Sequence, residues 1–136
     1  MHEYMSDLRV WVVTCRDIPE EIPRVRLFVR EIFEGDPWAD DVALIVTELG
    51  TNALTHANGG FRLTLVRSSE GIAIAVADKG GTTTRPHIPR PEADSPGGRG
   101  LALVHAYAHI VTIDGDHRGH TVTAELRFKE WRHRAC

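Results

Sequence analysis

A chain of 136 residues has the size of one domain, and at 42% hydrophobic and 26% charged residues it has the composition of a soluble globular protein able to bury a core. A net charge of −3 gives no footing for nucleic-acid or membrane binding. Two cysteines, Cys15 and Cys136, cannot build a disulfide framework.

In chain order, Leu8 to Thr14 is β-branched and aromatic and reads as a strand. Asp17 is placed to cap a helix from Pro19 to Glu34, with Val25, Phe28, Val29 and Ile32 on one face and Gly35-Asp36-Pro37 as its stop. A second helix is expected from Trp38 or Ala39 to Ala57, striped by Val42, Ile45, Val46, Leu49 and Ala53 and ended by Asn58-Gly59-Gly60. Phe61–Arg67 and Ile72–Ala77 alternate apolar and polar residues as two strands around Ser68-Ser69-Glu70-Gly71. From Lys79 to Gly98 periodicity dissolves among Pro86, Pro89, Pro91 and Pro96, the mark of a functional loop or a linker. A third helix, Leu101 to His109, follows the glycines. Strands Ile110–Ile113 and Thr121–Phe128 then flank a turn at Asp114-Gly115-Asp116. Strands and helices do not alternate regularly. The expected fold is therefore α+β: a two-layer sandwich of a mixed, mainly antiparallel sheet with helices on one face. The amino terminus lacks a signal-peptide pattern and no apolar run reaches membrane length, so a cytoplasmic protein is expected.

Three segments could carry chemistry. Glu48 and Asn52 share one side of the second helix, one turn apart, with Asp41, Leu44, Thr55 and His56 around them. Oxygen ligands at this spacing suit a hard cation such as Mg²⁺, although an exposed polar helix face has the same pattern. Asp78 ends a β-rich run beside Lys79-Gly80-Gly81. A carboxylate there can accept a base's amino hydrogens, although Asp-Gly is also a common turn. Gly97-Gly98-Arg99-Gly100 precedes a helix whose free amides and dipole would attract phosphate, with Arg99 adding charge. It is neither a Walker loop nor a dinucleotide fingerprint. His105 and His109 have a zinc-compatible spacing but no third ligand, and Trp11, Trp38 and Trp131 read as packing residues.

Together the segments are more specific. Glu48-Leu49-Gly50-Thr51-Asn52-Ala53-Leu54-Thr55-His56-Ala57, Val76-Ala77-Asp78-Lys79-Gly80 and Gly98-Arg99-Gly100-Leu101-Ala102-Leu103-Val104, in this order, resemble the GHKL (histidine-kinase-like) ATPase and kinase superfamily. The likeness extends from about Glu20 to Phe128 and is nearest to the small bacterial anti-sigma-factor serine/threonine kinases and their stand-alone ATP-binding relatives. It implies a Bergerat-type ATP-binding fold over residues 1–136, with residues 79–97 as ATP lid. It implies ATP and Mg²⁺ as cofactors, with Asn52 holding the metal and Glu48 as general base. The resemblance further implies Asp78 and Gly80 at the adenine, Gly98, Arg99, Gly100 and Leu101 at the phosphates, and Thr121, after Gly119-His120, on the adenine side. The second spaced glycine often found after the aspartate is Thr82 here, preceded by Gly81.

The implied function is an ATP-binding regulator that phosphorylates an antagonist protein and holds a sigma factor inactive, with a homodimer as a possible state. A non-catalytic module switched by nucleotide fits the same residues. A detached histidine-kinase catalytic domain fits less well, because no dimerising helix pair with a phospho-accepting histidine is present in the sequence.

Overall fold

The computed structural model describes residues 8–56, 59–79, 108–116 and 118–129. Seven elements occur in the order β1 (Arg9–Cys15), α1 (Glu21–Ile32), α2 (Ala39–His56), β2 (Phe61–Arg67), β3 (Gly71–Asp78), β4 (Ile110–Asp116) and β5 (Gly119–Arg127). The strands form one sheet in the order β1-β2-β3-β5-β4, and every pairing is antiparallel. The expected α+β layering is therefore present, with a sheet that is wholly antiparallel among the described residues.

Period-two patterning decides which face of the sheet is covered. Leu63 and Leu65 of β2, Ile72, Ile74 and Val76 of β3, and Val122, Ala124 and Leu126 of β5 are buried on one face. Against them lies the α2 stripe of Val42, Ile45, Val46, Leu49 and Ala53, all buried. Val25 and Val29 bring α1 onto the same core, with Phe28 and Ile32 at its margin. Trp11, partly buried, meets Phe33 edge-on at 5.3 Å, and the buried Trp38 packs between Phe33 and Phe128, so these two tryptophans are packing residues as expected. Trp131 lies outside the described residues. On the opposite face of the sheet, Val10 and Val12 of the edge strand are more than half exposed.

Three local expectations are corrected. Asp17 does not cap α1. The N-cap is Glu20, without a side-chain cap, and Glu21 and Ile22 donate their amides to the carbonyls of Ile18 and Pro19 in a tight preceding turn. Glu21 does the anchoring instead: its carboxylate accepts from the Arg16 amide at 2.8 Å and from Arg24 Nε at 2.7 Å. The Asp114-Gly115-Asp116 triplet is not the hairpin turn either. It continues β4 opposite Thr121, His120 and Gly119, leaving a two-residue connection between Asp116 and Gly119, because pairing with β5 outweighs local turn propensity. The predicted third helix lies outside the described residues up to position 107, but Ala108 and His109 are not helical. His109 donates its amide to the Glu125 carbonyl at 2.8 Å, and its Nδ1 accepts from the Arg127 amide at 2.9 Å. That histidine is fastened to the sheet, and His105 lies outside the described residues.

Candidate functional site

The site is assembled at one end of the sheet. Asn52 stands one turn before the end of α2, which leads through Gly59 and Gly60 into Phe61, the first residue of β2. Phe61 pairs with Asp78, the last residue of β3, and Ala77 pairs with Thr121 near the start of β5. Helix α2 packs across β2, β3 and β5, and a Cβ at Gly50 would meet the Phe61 ring at 3.1 Å, which sets its carboxy-terminal half beside the start of β2. The chain leaves the described part at Lys79, at this end of the sheet, and rejoins it at Ala108, near the other end of β4.

On α2 the polar side predicted from spacing is only partly a surface. Glu48 is half-buried and Thr55 is exposed, its hydroxyl donating to the Thr51 carbonyl at 2.9 Å. Asn52, by contrast, is 5% exposed, and its Oδ1 has no hydrogen-bond partner among the described residues. Buried carbonyl oxygens in folded proteins are nearly always satisfied, so an orphan of this kind calls for an explanation. A hard cation bound through oxygen is one that suits its chemistry. Among the described residues no group of three or more His, Cys, Asp or Glu side chains could hold a metal by itself. A cation at Asn52 would therefore take its remaining ligands from elsewhere, as Mg²⁺ does from phosphates and water.

Asp78 belongs to β3 rather than to a following turn. Its side chain is 6% exposed. Its Oδ1 accepts the His120 backbone N–H at 3.0 Å, and His120 Nδ1 lies 3.9 Å from the same oxygen. The approach of β5 depends on Gly119, where a Cβ would stand 2.7 Å from the Asp78 carbonyl oxygen. Thr121 is adjacent in sequence but differs in direction. Burial along β5 alternates, with His120, Val122, Ala124 and Leu126 buried and Thr121 and Thr123 half-buried. The Thr121 side chain therefore projects from the face opposite Asp78 and His120. His120 was missed by reading from the sequence, yet the signal was there: it occupies the apolar phase of its strand.

The structure thus sets the α2 turn of Asn52, with Glu48 one turn before it, beside the β2 start that pairs with Asp78, with His120 on Asp78 and Thr121 turned away. Gly80, Gly98, Arg99, Gly100 and Leu101 lie outside the described residues, as does the expected lid from position 80 onward.

The histidine kinase-like ATPase domain profile matches residues 15–126, most of the chain. The chain belongs to this family. ATP is the ligand that this domain class implies. Among solved structures, the fold is similar to that of the RsbU and RsbW domains of Rv1364c from Mycobacterium tuberculosis, with a TM-score of 0.66 and 18% identity over 88% of this chain. This chain spans only 32% of that one. It is also similar to the Acinetobacter baumannii histidine kinase AdeS, with a TM-score of 0.51 and 14% identity, covering 88% of this chain and 68% of that one. At such identities the likeness concerns the fold. No curated protein matches the sequence significantly. No helix among the described residues of this ATPase domain is long and apolar enough to cross a membrane.

Proposed function

We propose that this ATPase domain is a regulatory protein serine/threonine kinase that binds ATP and phosphorylates an antagonist protein, and that it also holds a sigma factor. The observation that carries the reading is Asn52, a buried amide oxygen with no partner among the described residues, one turn from the carboxylate of Glu48. Family membership and the order of the three motifs support it.

In this reading Asn52 Oδ1 is a ligand for Mg²⁺, which when bound neutralises charge on the phosphates of ATP. Asp78, with Gly80, receives the adenine amino group. Gly98, Arg99, Gly100 and the helix start at Leu101 hold the phosphates, the amides by hydrogen bonds and Arg99 by charge. Residues 79–97 form the lid. Glu48 accepts the proton of a serine or threonine hydroxyl on the partner. The new bond joins that oxygen to the γ-phosphorus, and the bond from the γ-phosphorus to the β–γ bridging oxygen breaks, releasing ADP. Catalysis rests on positioning and electrostatics rather than on a covalent enzyme intermediate.

Transfer of labelled γ-phosphate to the purified antagonist partner tests the proposal. Wild type is expected to label it, and Glu48→Ala to lower the rate by a factor of about 10²–10⁴ while still binding ATP. Undiminished transfer by Glu48→Ala removes that residue from the role of base. Nucleotide-dependent partner binding without any labelled product would identify a switch that transfers nothing.

A further inference from the structure

Three polar residues in the described part are buried: Glu21, Asn52 and His120. Glu21 is consumed by its contacts with Arg16 and Arg24, and Asn52 has its place in the reading above. His120 remains. It occupies a phase of β5 otherwise filled by Val122, Ala124 and Leu126, where an aliphatic residue would suit the core better.

We infer that His120 is a positioning residue for base discrimination, holding the Asp78 carboxylate in one orientation; the inference rests on the nucleotide-binding reading of this site. Two groups of the same residue bear on one oxygen. The backbone N–H of His120 donates to Asp78 Oδ1 at 3.0 Å, and the ring Nδ1 stands 3.9 Å from that atom. The first contact is a hydrogen bond open to any residue except proline. The second is specific to the imidazole, and it acts as a dipole or a charge rather than as a direct hydrogen bond. Both side chains are more than nine-tenths buried, so the pair interacts with little screening by water. The other charged groups nearby in sequence and register are Lys79, which follows Asp78, and Asp114 and Asp116, which flank the His120 partner Gly115 on β4.

Holding the carboxylate matters because of what it must distinguish. Adenine offers an amino hydrogen at the position where guanine carries a carbonyl oxygen. A carboxylate held at that edge accepts from the first and repels the second. One free to rotate, or opened to water by loss of the ring, discriminates less. Thr121, on the other face of the sheet, has no part in this.

Calorimetric titration of the full chain with Mg²⁺-ATP and Mg²⁺-GTP, for wild type, His120→Leu, His120→Asn and Thr121→Ala, tests the assignment. Wild type is expected to prefer ATP. His120→Leu, which keeps the volume but removes the polar group, is expected to narrow the ATP-over-GTP ratio about tenfold, mainly through weaker ATP binding. His120→Asn is expected to restore most of the ratio, and Thr121→Ala to stay within about twofold of wild type. A thermal melt of each variant separates misfolding, which weakens both nucleotides together, from lost discrimination. If wild type binds ATP but His120→Leu keeps the full ratio, or Thr121→Ala narrows it as much, this inference alone falls. If wild type binds neither nucleotide, the nucleotide-binding reading falls with it.

Discussion

Among the described residues nothing replaces the hydration that the buried Asn52 amide oxygen forfeits, which is costly to the free protein. Function and stability therefore pull against each other at this residue. Asn52→Leu is expected to leave the thermal midpoint of the nucleotide-free protein unchanged or raised, within about 1 kcal/mol, and to abolish stabilisation by Mg²⁺-ATP. A variant that melts early, yet is still stabilised by Mg²⁺-ATP, would assign Asn52 to packing alone. Glu21 presents the opposite case. Hydrogen bonds from Arg24 and from the Arg16 amide hold its carboxyl well below the ordinary 4.5, at about 2. The folded value lies below the unfolded one, so this contribution is complete above about 4.5 and is lost as the pH falls from there through about 2. Acid unfolding followed by circular dichroism is expected to show a shallower loss of stability over this interval in Glu21→Gln, with lower stability at neutral pH. Equal slopes would mean that the ion pair survives in the unfolded chain. Sequence reading placed Asn52 one turn from Glu48 as a cation ligand, with an open polar face as the rival. Its burial depends on what packs over that turn, which helical spacing does not encode.

At the scale of elements, strand and helix types were legible because their apolar periods are long and regular. The stripe of α2 and the alternation of β2 and β3 recur residue for residue in the core. Ends were less legible. Asp17, a good cap by type, accepts the Gly59 amide at 3.5 Å instead, and Asp114-Gly115-Asp116, a good turn by composition, is drawn into β4 by its pairing with β5. The join between α2 and β2 is the element boundary on which the site depends most. Gly60 has φ +79°, and a Cβ there would run into the carbonyl oxygen of Cys15. Gly60→Ala is expected to destabilise the fold by roughly 2 kcal/mol or more, from the left-handed backbone and the collision together. Because this join sets α2 against the start of β2, the same variant is expected to weaken ATP binding even where it stays folded. Chemical denaturation and ATP titration of one sample measure both, and an unchanged denaturation midpoint would show that the turn relaxes.

For the whole molecule, binding and transfer are separable. Saturating Mg²⁺-ATP at about 100 times its dissociation constant is expected to stabilise the wild type by about 2.7 kcal/mol, read as a higher melting midpoint. Asp78→Asn, which replaces an acceptor with a mixed donor and acceptor, is expected to lose most of that shift. The full shift in Asp78→Asn would place the base elsewhere. The sequence by itself determined the α+β class, the elements and the order of the three motifs, because periodicity and motif spacing are properties of the chain read locally. Only the tertiary structure decided that Asn52 is buried with an oxygen unpartnered among the described residues, that Asp78 is held by the start of β5, and that His120 rather than Thr121 shares its face. Those facts depend on strand register and on which face of the sheet the helices cover. A shift of one residue in register reverses every side chain, so pairing between distant strands, not composition, settles them.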